Sequence, residues 1–178
     1  MGLLDGLLGT TDPMHLAVPT RLRVLRVMTV MQGAYPTFHI SSIYRTAAQQ
    51  DALYAMGRTT PSPWPCVHDS ISRPVGTCTR VNFPVGTVHP FGAVGTSLRG
   101  GQSAHNWRLA CDMYPPLADP NAGDYITRYG LPKEAWSFYW RTAQSVGLRI
   151  LGSGDPGHLE EPGFLFLGPW ALAQFGGI

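Results

Sequence analysis

Apolar positions along the chain change their period several times, and each change marks an element. Between residues 19 and 32, Leu22, Leu25 and Met28 recur at helical spacing together with Val24 or Met31. Pro19 suits a first helical turn and Gly33 a C-terminal cap, so a helix is expected over 19–32. Phe38-His39-Ile40-Ser41-Ser42-Ile43-Tyr44 alternates in part, as a strand does, and leads into Arg45. A second helix is expected over 46–56, closed by Gly57. Residues 108–113 read as a buried strand that delivers Asp112, with Ala110 and Arg108 on the same face. The clearest late helix is 132–146, with Pro132 near its start, Glu134 in its first turn and Gly147 just past its end. Leu148-Arg149-Ile150-Leu151 reads as a short strand, after which the turn Gly152-Ser153-Gly154 presents Asp155 and His158.

Other stretches lack a period. Prolines 61, 63, 65, 74, 84 and 90 interrupt residues 60–101, with short β-rich runs such as Thr79-Arg80-Val81-Asn82-Phe83 between them. This is the pattern of an insertion built from loops and a hairpin. Residues 1–18 read as an irregular arm and 164–178 as an apolar tail, and no internal repeat is present. Short helices and strands in mixed order predict an α+β fold, a small antiparallel sheet with helices packed on it, over one domain spanning 19–163.

Composition narrows the classes. The chain has 178 residues, of which 44% are hydrophobic and 13% charged, so a real core is available and disorder is not expected. Net charge is +2 and no Lys/Arg block stands out, which leaves no footprint for nucleic acid. No apolar run reaches the ~18 residues of a membrane span. Residues 1–9 are apolar without a basic flank, a poor signal peptide. Cys66 and Cys78 bracket a Pro/Gly-rich segment and are candidates for a disulfide that redox compartment would decide, whereas Cys111 reads as a small buried residue.

Three segments hold the candidate chemistry: Ser103-Ala104-His105-Asn106-Trp107-Arg108-Leu109-Ala110-Cys111-Asp112, then Asp155-Pro156-Gly157-His158, and upstream Tyr44-Arg45-Thr46. Together they offer two imidazoles, a carboxylate ligand, a spare carboxylate and a guanidinium. Three protein ligands with a fourth position for water make a catalytic zinc site. His105, Asp112 and His158 are the candidate ligands and Asp155 the spare carboxylate. His105 and Asp112 are seven residues apart, which does not suit one helix face, so a loop His followed by a strand Asp is the expected scaffold. An isolated His is most often a surface or core residue, and His15, His39, His68 and His89 are read that way. An arbitrary Arg is most often a surface ion-pair partner.

The pattern Ser103-x-His105-x6-Asp112, followed by Asp155-x-x-His158, resembles the zinc peptidases that cut D-amino-acid bonds in peptidoglycan. These include the L-alanyl-D-glutamate endopeptidases of phage lysins, the D-Ala-D-Ala carboxypeptidases and the vancomycin-resistance dipeptidases. The run Tyr44-Arg45-Thr46-Ala47-Ala48-Gln49-Gln50-Asp51-Ala52-Leu53-Tyr54-Ala55-Met56-Gly57-Arg58-Thr59 is similar to that family's Tyr-Arg-Thr…Gln-x-x-Leu-Tyr-x-x-Gly-Arg-Thr segment, closest to the L-alanyl-D-glutamate branch. The resemblance covers about residues 20–162. It implies one Zn2+ per chain on His105, Asp112 and His158, with Asp155 as the catalytic carboxylate where several members have Glu. It implies Arg45 as the group that holds the substrate carbonyl oxygen, and Ser103 as a contact to substrate or to a metal-binding residue. Glu160 and Glu161 are rival carboxylates, either able to orient a ligand imidazole. Arg108 stands where the family usually has Gly. Gln50 and Tyr54 are expected to support the second helix, and Trp107 and Trp140 to pack rather than line a cleft.

The implied activity is hydrolysis of the L-Ala–D-Glu bond of the peptidoglycan stem peptide, as in a phage endolysin or virion-associated lysin. The runner-up is a D-Ala-D-Ala carboxypeptidase, which must recognise a free carboxylate through Arg45, Arg58 or Arg108. A third reading is a phage tail or baseplate component that keeps the peptidase fold. In that reading the apolar ends, residues 1–9 and 164–178, dock on a partner or a second copy. Without a signal peptide, the protein is expected to reach the wall by lysis or within a particle.

Overall fold

The computed structural model of the chain describes residues 9–56, 59–61, 98–119, 122 and 124–163. The Cys66–Cys78 pair, His68, His89, the strand expected at 79–83, the Gly57 cap, Arg58, the first eight residues of the arm and the apolar tail lie outside the described residues.

Among the described residues, four α-helices and four strands follow in the order α1 (Val18–Ala34), β1 (His39–Ser42), α2 (Ala47–Ala55), β2 (Ala110–Tyr114), α3 (Tyr125–Tyr129), α4 (Lys133–Ser145), β3 (Arg149–Ile150) and β4 (His158–Glu160). The strands form one antiparallel sheet in the order β1-β2-β4-β3, so the fold is α+β as expected. Cys111 and Met113 of β2 and Leu159 of β4 join a core with Val24, Val27 and Met31 of α1 and Trp136 and Tyr139 of α4. Phe38, just before β1, meets Trp136 edge-on at 5.7 Å and Tyr139 at 5.3 Å. Each aromatic ring of this kind removes roughly 150–250 Å² from water, so the cluster dominates the packing.

Several local expectations need correction. The buried face of α1 is Thr20, Val24, Val27 and Met31, while Leu22 is 63% exposed. Val24 and Met31 are buried as the spacing suggests and Met28 packs at the edge of the core, but Leu22 turns outward and Thr20 and Val27 complete the buried face instead. Gly33 does not cap it. The helix runs through Gly33 and stops at Tyr35 (φ −138°, ψ 82°), because Pro36 disfavours helical backbone in the residue before it. Residues 9–17 of the arm are not irregular. Thr10 bridges Tyr44, donating to its carbonyl at 3.1 Å and accepting from Ile43 N–H at 2.8 Å. Asp12 then caps a single turn of 3-10 helix, Pro13–His15.

Two elements are not foreseen from the sequence. α3 is five residues long, capped by the Asp124 side chain and ended by Gly130 in the left-handed conformation. β4 falls where the sequence suggests only a turn, yet it is an inner strand of the sheet with all three residues buried. Its pairing builds the site: Ser42 of β1, Asp112 of β2 and His158 of β4 lie side by side in register.

Candidate metal centre

Cross-strand register brings the first two groups together. Directly opposed residues in an antiparallel pair have Cβ atoms about 4.5–5.5 Å apart and share a face, so Asp112 and His158 must meet. Their ring and carboxylate do so at 3.0 Å, His158 Nδ1 to Asp112 Oδ1.

His105 arrives from a tight turn of 3-10 helix, Ala104–Trp107. Ser103 caps it, its Oγ accepting from His105 N–H, and Asn106 returns the bond to Ser103 N–H. Asn106 Nδ2 also donates to the Arg45 carbonyl at 2.8 Å, which ties this turn to the start of α2. The turn ends on Arg108 at φ 61°, the one non-glycine residue with positive φ among the described residues. Arg108 therefore lies outside β2 and does not share a face with Asp112, correcting the sequence reading. Glycine in the resembled family suits this left-handed position, which costs another L-residue on the order of 1–2 kcal/mol. The Arg108 guanidinium lies 5.2 Å from the Tyr44 ring centre.

The His105 ring is buried, and its Nδ1–H donates to the Ile43 carbonyl at 2.5 Å. That bond fixes the tautomer and aims Nε2 at Asp112 Oδ1, 3.2 Å away. Burial lowers the His105 pKa against the opposing pull of Asp112, so the ring is neutral. A neutral imidazole donating through Nδ1 has a lone pair on Nε2. That lone pair faces a carboxylate oxygen, acceptor against acceptor, and a cation between them reconciles the two. This juxtaposition is the structural argument for a metal.

Around this pair each group has its own holder. Asp112 Oδ2 accepts from Arg45 Nη2 at 2.9 Å. Arg45 is buried and donates from Nε to Ser42 Oγ at 3.1 Å and from Nη1 to Gln50 Oε1 at 3.0 Å. Gln50 in turn donates to the Leu98 carbonyl. Burial would raise the Asp112 carboxyl, but its cationic, hydrogen-bonding neighbours His158 and Arg45 hold it well below the usual carboxylate range. His158 Nε2 donates to Glu160 Oε2 at 3.0 Å, and Arg149 Nε donates to Glu160 Oε1 at 2.5 Å. Burial opposes the charged form of His158, yet bonds to Asp112 and Glu160 push its pKa up to about 10.

Asp155 precedes His158 on one turn, its carbonyl accepting from His158 N–H at 3.2 Å. Its Oδ1 accepts from the Tyr114 hydroxyl at 2.5 Å. Burial and the Asp112 charge raise its pKa above the ordinary value. The turn is fastened from the core side. Tyr139 Oη donates to the Gly157 carbonyl at 2.8 Å, and Trp140 Nε1 to the Pro156 carbonyl at 2.9 Å.

His105, Asp112 and His158 each offer one donor atom, all within 4.8 Å of one another, and the group can hold a metal ion. Arg45, Glu160 and Asp155 surround it. Ser103 reaches it only through the backbone turn it caps. Of the rival carboxylates, Glu160 orients His158, whereas Glu161 pairs with Arg23 of α1 at 2.5 Å. His15 and His39 stay outside the group, beside Asp12 and the Thr37 carbonyl. Sequence reasoning missed the Ile43 carbonyl, Ser42, Tyr114 and the role of Gln50 in anchoring Arg45. For Ser42 and Tyr114 a signal existed, since each sits within three residues of a recognised group. No protein-family model matches the chain, and a comparison with curated proteins found no match.

The hydrogen bonds lead to two expectations. Because Glu160 fixes the His158 ring, Glu160→Gln should weaken metal binding about 10–100-fold, read by competition against a chromophoric chelator. Unchanged affinity would show that the ring is oriented without it. In the metal-free protein His158 keeps its proton to about pH 10, while His105 is neutral and Asp112 ionised. A metal entering near neutral pH must therefore displace about one proton, and affinity should rise about tenfold per pH unit. Calorimetric titration in buffers of different ionisation enthalpy counts that proton, and a count of zero would contradict this protonation scheme.

Proposed function

We propose that the chain is a zinc-dependent peptidoglycan hydrolase that cuts the L-Ala–D-Glu bond of the stem peptide, as a phage endolysin or virion-associated lysin would. Two nitrogens and one carboxylate oxygen suit zinc and leave a fourth position for water. The observation that carries the reading is the second carboxylate, Asp155, held on the very turn that ends in His158. A structural metal site needs no such neighbour, whereas a hydrolytic one needs a proton acceptor. The motif resemblance supplies the substrate class, a peptide bond flanked by a D-residue.

Zinc, when bound, lowers the pKa of its water and polarises the scissile carbonyl. Asp155 takes the proton of the attacking water and hands it to the nitrogen of the departing amine. Its raised pKa suits both steps, since a carboxylate that is too acidic would not hold the proton long enough to deliver it. Arg45 holds Asp112 through Nη2, and its positive charge beside the centre would favour a carbonyl oxygen that becomes negative. Glu160 keeps His158 turned toward Asp112.

Digestion of a defined muropeptide followed by mass spectrometry of the products tests the bond assignment. New L-Ala carboxyl and D-Glu amino ends are expected. Release of a single terminal D-Ala would overturn the endopeptidase assignment in favour of a carboxypeptidase.

A further inference from the structure

The hydroxyl of Tyr114 occupies one oxygen of Asp155, and the tyrosine ring fills the space under the turn that joins Asp155 to His158. Tyr114 ends β2, two residues after Asp112 and therefore on the same side of the strand. Its ring stacks on Tyr129 of α3, with centroids 4.8 Å apart and planes 20° from parallel, and meets Trp136 edge-on at 6.4 Å. From there it passes directly beneath Gly157. A Cβ on Gly157 would stand 2.5 Å from Tyr114 Cζ and 2.5 Å from the Met113 carbonyl oxygen. Only glycine lets the ring lie this close, so the sequence between base and ligand is shaped around the phenol.

We propose that Tyr114 is the positioning residue for Asp155 in the hydrolytic reaction: its phenol holds Oδ1, so that Oδ2 exchanges the proton with water and with the leaving amine. This rests on the hydrolase reading. A carboxylate has two oxygens and rotates about its last bond, so an unheld Asp155 presents its lone pairs to the water in several orientations. One short bond from a ring that is itself clamped between Tyr129, Trp136 and Gly157 removes that freedom. Placement of a catalytic group within hydrogen-bond reach is where a small misorientation is expensive in rate.

Tyr114→Phe keeps the ring, its stacking and the fit under Gly157, and removes only the hydroxyl. With a soluble muropeptide, kcat should fall about 10–100-fold while KM stays within about twofold and bound metal stays at the wild-type level. Since Tyr114 acts through Asp155, the double variant Tyr114→Phe/Asp155→Asn should be no slower than Asp155→Asn alone. Independent, multiplying losses in the double variant would overturn the assignment, as would an unchanged kcat in Tyr114→Phe beside an active wild type. Failure of the unmodified, metal-loaded protein to cleave would overturn the hydrolase reading, and this assignment with it. Cleavage by the wild type with full activity in Tyr114→Phe would overturn this assignment alone.

Discussion

His105→Ala is expected to strip the protein of its metal at micromolar concentrations and to abolish hydrolysis. His105 is the group whose geometry leaves least freedom: Nδ1 is committed to the Ile43 carbonyl at 2.5 Å, so Nε2 has nowhere to point but the shared site. Binding of zinc to a complete protein site is worth on the order of 10–16 kcal/mol, and removal of one of three ligands forfeits a large share of it. A loss of roughly 10³-fold or more in affinity is the expected scale. Metal content by atomic spectroscopy after dialysis reads it directly. The variant should remain folded, because the turn that carries His105 is held by Ser103, Asn106 and backbone bonds that do not involve the ring. A variant that keeps its metal would show that Asp112 and His158 suffice with other donors, and the three-ligand centre would be wrong.

Asp155→Asn should separate chemistry from metal binding. Asn keeps the shape and can still accept the Tyr114 bond, yet it cannot take a proton from water. Metal content should be unchanged, KM should move little, and kcat should fall about 10²–10⁴-fold, the range for loss of a positioned general base. The contrast with His105→Ala is the informative part, because one variant loses the ion and the other keeps it, while both lose turnover. Equal activity in Asp155→Asn would move the proton acceptor to another carboxylate. Glu160 is a weak substitute for that role, since both of its oxygens are already engaged by His158 and Arg149.

Much of the site was legible because its residues are spaced in two compact motifs and the scaffold around them has strong local signals. α4 shows its start at Pro132, its acidic first turn at Glu134 and its stop at Gly147, and the structure places the helix there. The capping box of α2, with Thr46 and Gln49 satisfying each other's backbone partners, sits where the sequence placed the second helix. β4 was not legible: three residues are too few to show a period, and its place inside the sheet comes only from pairing with β2 and β3. The holders of the site were harder still. Gln50 reaches Arg45 from one turn into α2, the Ile43 carbonyl is a backbone atom without sequence identity, and Tyr114 looks like an ordinary strand aromatic. Each becomes meaningful only when the register of the sheet is known. Arg108 is the reverse case: its departure from the resembled glycine was visible in the sequence, and the backbone at φ 61° explains what that position demands.

Incubation of the purified protein with peptidoglycan sacculi, metal-free and after addition of one equivalent of zinc, tests the central claim most directly. The expected result is release of soluble fragments only in the zinc-loaded sample, abolished by chelator and restored by zinc. The same fragments from a rigorously metal-free sample would contradict the account, and so would an intact wall in the presence of a fully zinc-loaded chain.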